Sequence, residues 1–577
     1  MEKMEGRAGV IPASRHAPGH AETAPDRARA LRREPGEISD NRQDLHAMRD
    51  FHFPGRSSVH APTAMAATSH PLASAAALET LQGGGNAVDA AVAAAAVLAV
   101  VEPQMTGVGG DCFAIVARPD GKLFGLNGSG PAPKAATPAK LAEIGVTAID
   151  DCGPHAVTVP GAVRAWETLL ARHGTRGLGE VLTRAIGYAR HGYAVAPRVA
   201  FDWARNVAKL AADAGARAEY LVDGAAPAVG TVMRHPGLAR TLERIASEGA
   251  KGFYEGEVAR DIVATLSARG GLMTLDDLAG METLDMVPVR HPYRGVEVVE
   301  LPPNGQGFIA LVLLGILERF DLSGLDPTGV ERFHLELEAG RLAYSVRDMY
   351  LADPAHMPHG PEAFLSDAYL DRLASRVSRG ARMGDIPPAL LGPSSDTIYL
   401  SVVDKDGLAV SLINSVYKGF GSGICARESG VLLQNRGACF RLEPGHPNCI
   451  DGGKRPLHTI IPAMVLKDGL PHLSYGVMGG GYQPCGHAHV LSNMVDFGMD
   501  PQQAIDLPRM FFNEKTHVLQ AERGVPEQTL AGLGALGHEI MLVDEPIGGA
   551  QAILIDRENG MLVGGSDPRK DGCAIGY

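Results

Sequence analysis

Residues 396–417 read DTIYLSVVDKDGLAVSLINSVY, and the fold turns on how they are interpreted. Two β-rich runs, TIYLSVV at 397–403 and LAVSLINSVY at 408–417, flank Asp404-Lys405-Asp406-Gly407, a pattern that predicts an antiparallel hairpin. A loop of about two to four residues across that turn places Thr397 opposite positions 414–416, where Ser415 stands. Thr397 itself follows a short polar loop, Pro393-Ser394-Ser395-Asp396. Two readings stay open on these residues alone. Threonine is a good strand former, so a Thr–Ser pair at a hairpin end is ordinary sheet chemistry. Alternatively the chain is cut between Asp396 and Thr397. A threonine at a new N-terminus carries nucleophile and base together, because its α-amine takes the hydroxyl proton while the hydroxyl attacks a carbonyl.

Working outward, the texture before the hairpin is helical. Residues 86–101 (NAVDAAVAAAAVLAVV) predict an Ala-rich buried helix, with Asn86 as N-cap after three glycines. Residues 160–173 predict an amphipathic helix with Val163, Trp166, Leu169 and Leu170 on its apolar face. Further helices are expected near 181–192, 236–247, 257–268, 308–319 and 329–349. From about 394 strands dominate. A helix-rich part followed by a strand-rich part predicts packed α and β layers. No solenoid period and no long linker divides the chain.

Composition bounds the function. The 577 residues are 45% hydrophobic and 21% charged, enough for a large core. Lys plus Arg is 53 against Asp plus Glu 66, a net charge of −13 that argues against nucleic acid or an anionic membrane as partner. Aromatics are only 5%, too few for base-stacking platforms. The longest apolar run, Ala90 to Val101, falls short of the roughly 18–20 residues of a membrane span. Seven cysteines, at 112, 152, 425, 439, 449, 485 and 573, form no C-x-x-C pair, which fits a reducing compartment and a cytoplasmic location. Residues 1–48, rich in Arg, Pro and Ala, are expected to be a disordered leader.

Common catalytic signatures are missing: there is no P-loop, no H-E-x-x-H and no G-x-S-x-G. The glycine clusters at 107–110 (GVGG) and 419–423 (GFGSG) read as tight turns. His487 and His489 could be two metal ligands on one strand face. Without a third ligand nearby, packed or surface histidines are the favoured reading.

A series of ordered blocks bears on the two readings of Thr397. They are HPLASAAALETLQGGGNAVDAAVAAAAVLAVVEPQMTGVGGDCF (70–113), VPGAV (159–163), DTIYLSVVDKDG (396–407), GFGSGICARESGVLLQN (419–435), KRPLHTIIP (454–462), GVMGGG (476–481) and GGSDPRKDGCAIGY (564–577). Together they resemble the γ-glutamyltransferase (glutathione hydrolase) family of N-terminal-nucleophile hydrolases over about 50–577. The resemblance implies an α+β fold, a four-layer αββα sandwich built by both fragments of a self-cleaved precursor. Cleavage at Asp396–Thr397 would give a large subunit, 49–396 behind the leader, and a small subunit, 397–577, that starts with the nucleophile. Ser415 matches the family's hydroxyl that positions the nucleophile, and Gly479 and Gly480 match the glycines whose N–H groups line the oxyanion hole. That role suits glycine, since the donors must come within about 3 Å of the oxyanion with no Cβ in the way.

The substrate pocket departs from the glutathione-cleaving pattern. The loop LNGSGPAP (126–133) puts Gly128 or Ser129 where that pattern has an arginine. The residues that surround the substrate's ammonium fall on Tyr417, Arg436 and Cys439, and a serine pair falls on His458 and Thr459. Tyr417, Arg436, His458 and Thr459 would suit a small amidated acid without an ammonium group, and the combination looks most like the oxamate amidohydrolase branch. Two other readings are a glutathione hydrolase or γ-glutamyltransferase with an altered clamp, and a non-catalytic binding protein. In a purely structural role Arg436 would pair with Glu428 or Asp451. The expected partners are the small amide substrate and the two fragments of one precursor, with a homo-oligomer of that heterodimer left open. The chemistry calls for no metal or organic cofactor, since the α-amine supplies the base.

Overall fold

The hairpin forms where the turn residues place it. In the computed structural model, which describes residues 55–384, 386 and 397–577, the strands Ile398–Val403 and Ala409–Ser415 pair antiparallel from Ile398↔Asn414 to Val403↔Ala409. Asp404 fixes the turn: its Oδ1 accepts the N–H groups of Asp406 and Leu408, both at 3.0 Å. Gly407 takes the positive φ, 79°, that the turn requires. The Oδ2 of the same Asp404 accepts the Ala87 N–H at 2.9 Å, so the turn also holds the start of the Ala-rich helix.

The hairpin lies inside a seven-stranded antiparallel sheet. Across that sheet the strands run Cys573–Gly576, Met65–Thr68, Ile398–Val403, Ala409–Ser415, Asp111–Ala117, Leu123–Gly128 and Leu284–Met286. A second seven-stranded sheet runs Val59–Ala61, Met561–Ser566, Gly549–Asp556, Leu470–Met478, Ala463–Lys467, Val296–Glu300 and Val289–Tyr293. Side chains alternate between faces as strand geometry dictates. Ile398, Leu400 and Val402 enter a cluster with the helices, while Tyr399 and Val403 enter the core between the sheets with Phe113, Ile115, Met464 and Ile553.

Helices cover both outer faces. Ala87–Val101, buried at every residue, lies against the first sheet with Pro71–Gln82 and Ala162–His173. Gly307–Leu317, Val330–Tyr350 and Gln483–Val495 cover the second. The molecule is therefore the αββα sandwich that the resemblance implies. The expected helices all form, the one near 181–192 as two pieces, Leu178–Val181 and Thr183–His191. No helix among the described residues is long and apolar enough to cross a membrane.

Two expectations need adjusting. The part before 397 is not only helical, for it supplies strands to both sheets. His487 and His489 lie on a helix rather than a strand, and two positions along a helix point nearly opposite ways. His487 Nδ1 meets Glu300 at 2.7 Å and His489 Nδ1 meets Glu336 at 3.0 Å, both buried, so both histidines are packed. The leader 1–48 and Asp396 lie outside the described residues.

Candidate active site

Thr397 stands at the end of the first sheet, fully buried, with its Oγ1 3.1 Å from Ser415 Oγ. The hairpin register creates this pair, since one step beyond Ile398↔Asn414 sets Thr397 opposite Ser415. Ser415 Oγ also accepts the Tyr417 N–H at 2.8 Å and lies 3.5 Å from Arg436 Nη2. Tyr417 adopts φ 81°, a strained conformation for an aromatic residue. The strain is held by that hydrogen bond and by the Arg436 guanidinium, whose Cζ lies 4.2 Å above the Tyr417 ring.

Arg436 belongs to the short turn Arg436–Cys439 and is completely buried. Its Nη1 donates to Thr459 Oγ1 at 2.7 Å and lies 3.9 Å from Cys439 Sγ, while its Nε has no partner. No carboxylate among the described residues ion-pairs with it. Glu428 instead gives its backbone carbonyl to Arg240, and the Asp451 carboxylate accepts its neighbour's N–H at Gly452. Thr397, Ser415, Tyr417, Arg436 and Thr459 thus form one connected cluster.

His458 is adjacent but turned aside. Its Nε2 meets Asp111 Oδ2 at 2.9 Å, its ring packs on Phe113, and burial, helped by Arg436, lowers its pKa well below the usual value. Ser129, in the loop where an arginine was absent, is buried and donates to Asn127 Oδ1 at 2.7 Å.

Gly479 and Gly480 end the strand Leu470–Met478 at φ 127° and 54° and open a turn that runs into Gln483–Val495. N–H groups at such a helix start are not used by the helix itself. Gln306 joins the two halves of the site, donating to the carbonyls of Thr459 at 2.8 Å and Gly480 at 3.0 Å. Arg347 holds Gln306 Oε1 at 3.3 Å and is itself paired with buried Glu514. Sequence reasoning passed over Gln306, Asp111 and Asn304, the last of which donates from Nδ2 to Ser129 Oγ at 3.3 Å. The run LPPNGQG at 301–307 reads as turn chemistry, and only its two amide side chains inside a Pro/Gly stretch hinted otherwise.

Two clefts, of about 650 and 580 Å³, flank the edge strands Leu284–Met286 and Val289–Tyr293, and neither is lined by Thr397, Ser415 or Arg436. Among the described residues no three His, Cys, Asp or Glu side chains are grouped to hold a metal ion.

Comparisons with known proteins agree with this layout. The family model for gamma-glutamyltranspeptidase matches residues 73–577. The glutathione hydrolase-like YwrD proenzyme of Bacillus subtilis is 39% identical, covering 90% of this chain and 99% of that protein. The oxamate amidohydrolase proenzyme of Klebsiella pneumoniae is 35% identical, covering 89% and 98%. Among solved structures, the cephalosporin acylase of Bacillus halodurans superposes with a TM-score of 0.85 at 38% identity, covering 92% of this chain and 98% of its own.

Proposed function

The chain belongs to the γ-glutamyltranspeptidase family of hydrolases, and from that premise we propose that it is a self-processing N-terminal-threonine amidohydrolase for a small amidated acid of the oxamate type. In the precursor the Thr397 hydroxyl attacks the Asp396 carbonyl carbon. The peptide C–N bond breaks as its nitrogen takes a proton, which frees the Thr397 amine, and water then hydrolyses the resulting ester to free the Thr397 hydroxyl and the new carboxyl terminus. That amine then takes the Oγ1 proton as the oxygen attacks the substrate amide. The N–H groups of Gly479 and Gly480 receive the oxyanion, and the proton leaves with ammonia. A water molecule releases the acid, oxalate where the substrate is oxamate.

The observation that carries the substrate class is Arg436. A fully buried guanidinium with no carboxylate in contact among the described residues, and with no partner at Nε, supports an anionic guest. Its Nη2 lies 3.5 Å from Ser415 Oγ, which lies 3.1 Å from the nucleophile, so a carboxylate on Arg436 leaves room for only a very short acid. A γ-glutamyl group carries three carbons between its carboxylate and its amide, and an ammonium besides. Asp111 already uses both its oxygens on Gly130, Gln434 and His458.

A second reading, a glutathione hydrolase with an altered clamp, is favoured by the name of the Bacillus subtilis relative. Ammonia release from oxamate, measured beside cleavage of glutathione and a γ-glutamyl anilide, separates the two. We expect kcat/KM for oxamate to exceed that for glutathione by at least about tenfold, near 1.4 kcal/mol. Glutathione proving the better substrate would leave the γ-glutamyl reading standing. A denaturing gel of the purified protein should show two fragments, and Thr397→Ala a single inactive chain.

A further inference from the structure

Asp111 is a buried carboxylate that the proposed reaction leaves unused. It opens the strand Asp111–Ala117 and pairs across the sheet with Ser415, so it stands at the same sheet end as the nucleophile. Its Oδ1 accepts the Gly130 N–H at 3.1 Å and Gln434 Nε2 at 3.0 Å. Its Oδ2 faces His458 Nε2 at 2.9 Å. The Ile460 N–H donates to His458 Nδ1 at 3.3 Å, which puts the neutral imidazole's own proton on Nε2, pointed at Asp111.

The other groups that act on Asp111 are Arg436 and Arg455 as cations, with the Tyr254 phenol and the Cys112 thiol near enough to feel its charge. Burial keeps both Tyr254 and Cys112 neutral. Burial also raises the Asp111 carboxyl to about 7, against the pull of Arg436, Gln434, Gly130 and Arg455.

With Asp111 ionised, its charge balances that of Arg436, while Arg455 is faced by Asp353 as well. A monoanion seated on Arg436 then leaves an excess negative charge in a buried site, which is costly at low dielectric. One added proton on Asp111 restores the balance, with His458 kept neutral by burial. The surroundings can accommodate it. Gln434 Oε1 is buried without a partner, and a half-turn of the Gln434 amide would bring Oε1 opposite Asp111 Oδ1. That exchange turns a donor to the carboxylate into an acceptor for the carboxylic acid.

We propose that Asp111, with His458 and Gln434, is a proton-accepting counter-site to Arg436, so that the acid substrate binds together with one proton taken from solvent. The proposal rests on the reading of Arg436 as the carboxylate clamp. Affinity for the acid should then fall about tenfold per pH unit once Asp111 is ionised in the free enzyme.

The test is calorimetric titration of the wild-type enzyme with racemic lactate, a monoanion of oxamate's size with no amide to cut. Paired buffers of different ionisation enthalpy count the protons taken up. With burial raising the Asp111 carboxyl to about 7, proton uptake should be large at pH 8 and small at pH 6. Asp111→Asn should bind lactate without the uptake that wild type shows at pH 8, leaving only the pH dependence of the Thr397 amine, which wild type shares. Wild-type binding at pH 8 without proton uptake, in a protein whose Arg436→Leu variant does not bind, overturns the counter-site and leaves the clamp intact. Full uptake in Asp111→Asn overturns the assignment to Asp111. Equal binding by wild type and Arg436→Leu brings down the clamp reading and this proposal with it. The wild-type proton count stands whether or not either variant folds.

Discussion

Ser415 Oγ accepts the Tyr417 N–H at 2.8 Å and lies 3.1 Å from Thr397 Oγ1 and 3.5 Å from Arg436 Nη2, so it is placed to position the Thr397 hydroxyl. A positioning hydrogen bond of this kind is worth about 1–3 kcal/mol, so Ser415→Ala should lower kcat roughly ten- to a hundredfold, with Ser415→Thr restoring most of it. Unchanged steady-state turnover in Ser415→Ala would refute this role. Arg436→Leu should raise KM for the acid more than it changes self-cleavage, followed on a denaturing gel, because cleavage needs no substrate carboxylate. The Thr397–Ser415 pair was legible in the sequence because turn and strand period fix a register. Asp111 was not, since an aspartate after Gly-Val-Gly-Gly reads as turn chemistry and its partner His458 lies 347 positions away. The side-chain direction of His458, towards Asp111 and not the nucleophile, was hidden for the same reason.

The helix Ala87–Val101 shows what an element can reveal at each end. Asn86 Oδ1 accepts the N–H groups of Val88 and Asp89 at 3.0 and 3.1 Å, and Asp89 Oδ2 returns a bond to the Asn86 N–H at 2.9 Å. Asn86→Ala should cost about 0.5–2 kcal/mol, read as a lower midpoint in chemical denaturation, and Asn86→Ser should recover most of the loss. At the other end Glu102 is buried, accepts from Ser69 Oγ at 2.5 Å, and is raised by burial from 4.5 to about 7. Between those values the unfolded chain has ionised Glu102 while the folded one keeps it protonated, so stability falls as pH rises, by at most about 1.4 kcal/mol per pH unit. Glu102→Gln escapes that loss. Its stability relative to wild type should therefore climb from about pH 4.5 to pH 7 and level off above, and a flat difference would refute the protonated assignment. Caps and an unbroken apolar run made this helix readable. Gln483–Val495 was missed although Pro484 sits in its first turn, because the preceding glycines mask its start and its alternating histidines imitate a strand.

At the scale of the molecule the two expected fragments are interleaved rather than docked. Residues before 397 supply four strands of the first sheet and three of the second, and residues from 397 supply the remaining three and four. The hairpin that carries Thr397 is itself inserted between Met65–Thr68 and Asp111–Ala117. Sequence pattern concealed this arrangement because strands buried on both faces, such as DCFAIVA at 111–117, read as apolar runs without alternation. Resemblance, not periodicity, implied that both fragments build one core. Cutting the bond before Thr397 removes no sheet pairing among the described residues, and separating the fragments would expose the apolar interiors of both sheets at once. Such an interface is a domain core divided in two, far beyond what a dissociable complex buries. The cleaved protein should therefore elute as one species on dilution, run as two bands only after denaturation, and unfold in a single transition. The 397–577 fragment made alone should aggregate, since its hairpin would present two unpaired edges and no covering helix layer. Fragments that separate on dilution, or a soluble and cooperatively folded 397–577 chain, would show that the sheets are less interdependent than their strand order requires.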